Sequence, residues 1–210
     1  MRNLVVSSLV ALFVSTSCLA HADSNYGVHE EKPYQFDIKK DIHPTAEVYR
    51  INSKVRETYA GSIKKSAFRV RTNYDLSNEH GWQATGITRI LSLGALFSWA
   101  KDIDIYDTRR VQIGMIDGEL ATFESAKFSI YTYDEEGVPT RNAIAYANAD
   151  FSRFIILSEE DTNINPIPIA ELNRTEPNNW HISVNYPEKI DDRILRIFAG
   201  FVVDYQNKFL

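Results

Sequence analysis

The chain has 210 residues, 44% hydrophobic and 24% charged, which is enough apolar material for a core and too much charge for a bundle of membrane helices. Nine glycines and seven prolines exclude collagen-like and low-complexity readings, and a formal charge of −5 argues against a nucleic-acid partner. A single cysteine excludes an intrachain disulfide scaffold.

Met1-Arg2-Asn3 is a short basic start, Leu4 to Leu19 an uncharged apolar run, and Ala20-His21-Ala22 a small-x-small cleavage site. Together they predict a signal peptide over residues 1–22 and an exported product, periplasmic or secreted. The run is too short to span a bilayer, so no transmembrane segment is expected after cleavage. Cys18 raises the alternative of a lipoprotein anchor, but the position three before it is Ser15 rather than a Leu-like residue. Cleavage after Ala22 leaves 188 residues and no cysteine, so stability must come from a packed core.

Residues 23–45 are polar and charged and read as a flexible arm, partly extended at Tyr34, Phe36 and Ile38. Val48, Ile51, Val55 and Tyr59 recur at spacings of three and four, a weak helical signal that Gly61 would stop. Strands follow from Ala67, beginning with the alternation Phe68-Arg69-Val70-Arg71, with turns near Ser77-Asn78 and Gly81. Residues 82–99 read equally as strand, helix, or one after the other.

Next comes a repeated unit of alternation, acidic turn and second alternation. Ile103–Tyr106 turns at Asp107 and returns at Val111–Ile116. Phe128–Tyr133 turns at Asp134-Glu135-Glu136-Gly137 and returns near Ala143–Tyr146. Phe154–Leu157 turns at Glu159-Glu160-Asp161 and returns at Ile167–Leu172. This is a hairpin meander, to which Trp180–Val184 adds a strand. So many short strands favour a barrel or sandwich. At the C-terminus Asp191 and Asp192 suit a helix start. Residues 197–203 carry no polar side chain, so a helix there needs protein on every side, and a buried strand is the alternative.

Over residues 66–208 this pattern resembles the tubby C-terminal-like superfamily, which includes tubby proteins, LURP-one-related proteins and phospholipid scramblases. The resemblance is carried by Ile103-Asp104-Ile105-Tyr106-Asp107 with Ile113-Gly114, by Phe128-Ser129-Ile130-Tyr131 with the Asp134 turn, and by Ile190-Asp191-Asp192-Arg193-Ile194 through Phe201-Val202-Val203-Asp204. It implies a mainly β fold, an antiparallel barrel of about twelve strands around a central hydrophobic C-terminal α-helix, with residues 46–210 as its single domain. The export signal departs from the mostly intracellular eukaryotic members, and the scramblase calcium segment and acylated cysteine cluster have no counterpart.

The sequence has no Gly-x-Ser-x-Gly elbow, no Gly-rich phosphate loop and no His-Glu-x-x-His. His29, His43, His80 and His181 do not pair at ligand spacing, and Asp102, Asp104 and Asp107 lack the spacing and closing Glu of a calcium loop. No metal, cofactor or catalytic residue is therefore expected. His181 reads as a hydrogen-bonded or exposed strand residue. One charge feature stands out: Lys54, Arg56, Lys64, Lys65, Arg69 and Arg71 face Glu57 alone, a net of +5 within a chain of net −5. Such a segment reads either as a solvated face that balances the acidic turns or as a site for phosphates or anionic headgroups, and the resemblance favours the second, since tubby proteins use basic barrel residues for phosphoinositides. The expectation is an exported, monomeric, non-enzymatic module that docks anionic lipid or a protein partner, with Lys64, Lys65, Arg69 and Arg71 as the ligand-binding residues. The alternatives are a hollow barrel carrying a small apolar ligand, or an unrecognised hydrolase.

Overall fold

A computed structural model describes residues 32–42, 46–54, 58–66, 71–89, 101–122, 125–159 and 167–206. The expected signal peptide, Cys18, Arg69 and most of the ambiguous stretch after Thr88 lie outside the described residues.

Twelve strands run in chain order: β1 (Tyr34–Ile42), β2 (Ala46–Ser53), β3 (Thr58–Ser66), β4 (Asn73–Asn78), β5 (Gly81–Thr88), β6 (Ile103–Asp107), β7 (Gln112–Thr122), β8 (Ser125–Tyr133), β9 (Pro139–Ala147), β10 (Arg153–Ser158), β11 (Ala170–Glu176) and β12 (Asn179–Val184). Each pairs antiparallel with its neighbours in sequence, and β1 pairs with β12, which closes the barrel. Helix α1 (Asp192–Tyr205) follows a single 3-10 turn at Pro187–Lys189.

Period-two alternation sets which residues face the axis. In β6, Ile103 and Ile105 are buried inward while Asp104 and Tyr106 face out; in β12, Trp180, Ile182 and Val184 point in while His181 and Ser183 point out. The three hairpins predicted from acidic turns are β6–β7, β8–β9 and β10–β11. Two of those acids have a structural task. Asp134 Oδ1 accepts the Val138 N–H at 2.7 Å, and Asp107 Oδ1 accepts the N–H groups of Arg109 and Val111 at 2.8 and 2.9 Å. Asp104 faces outward, whereas Asp107 at the end of the strand is buried.

Two expectations near the N-terminus are corrected. Residues 34–42 are not an arm: β1 is a full barrel strand, with Phe36 and Ile38 buried inward between β12 and β2. The helix expected around Val48–Tyr59 is the β2–β3 pair, because Tyr49 and Ile51 alternate inward while Arg50 and Asn52 do not. The period-two signal there outweighs the coincidental three-four spacing.

Helix α1 lies on the barrel axis. At about 1.5 Å per residue, its 14 residues span about 21 Å, close to the rise of a six-residue strand. Asp191 caps its start, with Oδ1 accepting the Arg193 N–H at 2.8 Å. From Ile197 to Val203 every residue is buried, as a stretch apolar on all faces requires. Phe128 meets Phe198 and Phe201 edge-on at 5.4 and 5.5 Å between centroids, and Phe154 meets Phe198 at 5.9 Å. Close approach depends on missing side chains: a Cβ on Gly86 would come within 2.7 Å of Ile197, and one on Gly200 within 2.6 Å of Ile63.

Phe201→Asp should abolish cooperative folding, because it places an unpaired charge on the axis. Gly200→Val should fold but lose on the order of 1–3 kcal/mol through overpacking against Ile63, read from urea denaturation. Soluble, cooperatively melting Phe201→Asp protein would show that α1 is not the core.

Candidate functional site

The basic segment does not form one patch. Successive residues of a strand point to opposite faces, so Lys64 and Lys65 part company. Lys65 points inward and is taken up at the barrel mouth where α1 ends. Its Nζ lies 2.9 Å from Glu47 and 2.8 Å from Asp204. Glu47 also receives Lys40 at 2.9 Å, and the Tyr74 hydroxyl donates to Asp204 at 2.8 Å. The strand register explains the grouping, since Glu47, Lys65 and Tyr74 are successive partners across β2, β3 and β4. The side chain of Asp204 is 2% exposed, so the lysines are what make its charge tolerable there. Burial alone would raise the Glu47 carboxyl, but hydrogen bonds and charges from Lys40 and Lys65 outweigh it and hold Glu47 at about 2. Lys65 is correspondingly raised: burial works against its charge, and Asp204 and Glu47 more than offset that. Lys65 is thus a structural cation rather than a surface ligand.

Lys64 faces out, and the register places it at one end of a row. Lys64 opposes Asp75, Asp75 opposes Thr85, and Thr85 opposes Tyr106 across β3, β4, β5 and β6. Along this row runs an open groove of about 590 Å³, lined by Asp75, Trp82, Thr85, Ile87, Tyr106 and Arg110. Trp82 is 41% exposed, and its Nε1 donates to the Ala84 carbonyl and Thr85 Oγ1, both at 3.0 Å. Thr85 in turn donates to Asp75 at 2.8 Å, so the floor is held by its own hydrogen bonds. Arg110 is exposed with φ +63°, a conformation costly for a side-chain-bearing residue. Exposed Arg71 acts on Tyr106: burial and Asp104 raise that phenol, while Arg89 and Arg71 pull against them. Several cations elsewhere on the wall are matched, as in Arg89–Asp104 at 2.7 Å, Arg141–Glu159 at 2.5 Å and Arg153–Glu171 at 2.7 Å. Among the described residues Lys64 and Arg110 carry no ion pair.

A third grouping joins residues far apart in sequence. Asp37 Oδ1 lies 2.8 Å from His181 Nδ1, and His181 Nε2 lies 3.4 Å from Ser183 Oγ, the order of a hydrolase triad. The surroundings do not support that chemistry. Ser183 sits mid-sheet with β1 and β11 on either side, opposite Gln35 and Glu171, so the neighbouring backbone N–H groups are committed to ladders rather than available to an oxyanion. Asp37 is shared with Lys54 at 2.8 Å. We read the row as a polar seam across the β1–β12 closure, which keeps His181 a hydrogen-bonded strand residue.

Asp102 and Asp117 form a carboxyl pair. Burial, then the charge and hydrogen bond of Asp117, push Asp102 up to about 6 despite the Gly118 N–H and Arg89. Asp104 instead binds Arg89 and Gln112, and Asp107 its own turn, so the three acids singled out in the sequence do not converge. Among the described residues no three His, Cys, Asp or Glu side chains gather as a metal ligand set, and no helix is long and apolar enough to cross a membrane.

Comparison of the chain with protein-family models and with curated proteins finds no match.

Asp204→Asn should cost about 3 kcal/mol in urea unfolding, because it leaves two half-buried lysines facing Glu47 alone. The Asp102 pair gives a pH signature. Its folded-state value is raised, so its favourable contribution is complete in acid and is lost as pH rises through about 6. Relative to Asp102→Asn, the parent should gain stability between about pH 7 and pH 5; parallel stability curves would rule the pair out.

Proposed function

We propose that the protein is an exported, non-enzymatic binding module of the tubby-like kind that docks anionic membrane surfaces through the outer wall of β3–β6. The observation that carries this reading is the groove itself. Trp82, Ile87 and Tyr106 supply amphipathic and apolar surface, with Lys64, Arg71 and Arg110 around them and Asp75 in the floor. Aromatic residues with a wet end and cations on flexible stems are the side chains that suit a headgroup layer. Each cation near an anionic surface contributes about 1 kcal/mol, so the three together correspond to roughly a hundredfold in affinity. Of the four residues expected from sequence, Lys64 and Arg71 belong to this face, Lys65 does not, and Arg69 lies outside the described residues.

The other two readings have less behind them. Among the described residues α1 takes up the barrel axis, where a hollow carrier would need its lumen. The Asp37–His181–Ser183 row lacks oxyanion donors among the described residues. Kinship with the tubby-like group is supported by the terminal helix within a closed twelve-stranded barrel, and export by the basic start, apolar run and Ala20-His21-Ala22.

Flotation with phosphatidylcholine vesicles, with and without phosphatidylserine, tests the proposal. Binding should require the anionic lipid, fade with added salt, and fall steeply in a Lys64→Ala, Arg71→Ala, Arg110→Ala triple variant. Equal binding to neutral vesicles, or undiminished flotation of the triple variant, would overturn it. Arg110→Gly separates docking from folding. Relief of the left-handed backbone should hold stability constant or raise it by up to about 1 kcal/mol, while vesicle binding weakens.

A further inference from the structure

The barrel mouth where α1 begins holds a second concavity, distinct from the docking groove. It encloses about 200 Å³, and its walls come from β1, β3, the β4–β5 hairpin and α1. Two irregularities of the sheet open onto it. Between β2 and β3 the register passes from Ile51↔Gly61 to Asn52↔Tyr59, so Ala60 is an extra residue. Between β4 and β5 it passes from Leu76↔Ala84 to Ser77↔Trp82, so Gln83 is an extra residue. Both extra residues line the cavity. Bulges bend a strand and re-aim a side chain, and they concentrate at barrel rims and beside functional sites. The strands are also pressed together here. Gly61 has φ +145°, and a Cβ on it would lie 2.7 Å from the Ser77 carbonyl oxygen. The cavity is therefore built into the backbone.

The charges on its helix side are already matched. Arg196 binds Asp192 at 2.6 Å and the Ala60 carbonyl at 3.0 Å, with its guanidinium over the Phe36 ring. Arg193 holds Asp191 through two contacts of 2.6 and 3.0 Å. The Tyr34 hydroxyl donates to Asp192 at 2.5 Å. An anion would have to displace these carboxylates, and an apolar ligand would strand the polar lining. What the site offers is the half-exposed ring of Tyr59, the Ser77 hydroxyl, the Gln83 carboxamide and the amide nitrogen of Asn78, whose Oδ1 already accepts the His80 N–H at 2.8 Å. The Gln83 amide nitrogen bonds weakly to local carbonyls, at 3.3 and 3.4 Å, which leaves its Oε1 to accept. A neutral polyhydroxylated ring matches that set: its C–H face packs on an aromatic ring, and its hydroxyls both donate and accept.

We propose that this cavity binds a single neutral sugar ring, with Tyr59 as the stacking platform and Gln83, Asn78 and Ser77 as hydrogen-bonding partners. Its size admits one ring rather than a drug-sized ligand. The site does not depend on the docking proposal, because the residues that carry the two do not overlap.

Ligand-observed NMR titration of the full chain with glucose, galactose, mannose and N-acetylglucosamine tests it, with inorganic phosphate as the anionic arm. At least one sugar should bind saturably with a Kd on the order of 1 mM, as the small ring dictates. Tyr59→Ala and Gln83→Ala should each weaken it about tenfold or more with an unchanged melting midpoint, and Lys64→Ala should leave it unaltered. Absence of sugar binding up to roughly 20 mM would overturn the proposal. So would binding of phosphate but not sugars, or sugar affinity indifferent to both cavity variants.

Discussion

A closed sheet of twelve strands is too wide for its own inward side chains to fill; about eight is the number at which they suffice. The lumen of this barrel must therefore be occupied, and α1 is what occupies it. Much else follows from that. Residues 197–203 need no polar face because wall surrounds them, and the wall supplies no Cβ at Gly86 where Ile197 presses closest. Among the described residues the helix takes up the axis, and the outer wall and the two mouths each have a different character.

At one mouth the helix ends on Asp204, an acid close to its own negative pole and nearly out of water. Lys65, Lys40 and the Tyr74 hydroxyl make that position tenable. This single requirement divides the basic segment. Strand alternation gives Lys65 to the interior and Lys64 to the surface, so two adjacent lysines that look equivalent in sequence do unrelated work. The charge left for a partner is smaller than the +5 of the segment suggests, but it is better placed. Lys64 stands at the end of the register row that leads through Asp75 and Thr85 to Tyr106, beside Trp82, with Arg110 at the lining of the same groove.

The hairpins from β6 onward, β12 and the axial helix were legible because each is a strong local pattern: strict alternation, an acidic turn, a run apolar all round. β1 was half legible. Its Tyr34, Phe36 and Ile38 alternate visibly, but polar residues lie between them and its inward face includes Lys40, so it reads as an arm until both its partners are known. The β2–β3 pair was misread because apolar residues on opposite faces of β2, Val48 and Ile51, happen to stand three apart. The sites were less legible than the fold for one physical reason: they are made by register. Nothing local says that Lys64 will lie in line with Tyr106, that Asp37 will meet His181, or that Ala60 and Gln83 will be the residues left over when two ladders slip.

Those two slips are connected through the helix. A bulge in a closed barrel leaves backbone groups without ladder partners, and such groups need other ones. The Ala60 carbonyl takes the Arg196 guanidinium, which is itself fixed by Asp192 and packed over Phe36. Arg196 lies one turn beyond Asp192 on a helix whose axial position is set by Ile197 against Gly86 and by Gly200 against Ile63. The same packing that fills the barrel thus fixes the bulge, and with it the wall of the cavity at the opposite mouth from Asp204. A concavity held this way is formed before any ligand arrives. Its occupant need not be repaid in ordering free energy, and so a ligand as small as one ring is a reasonable match for it.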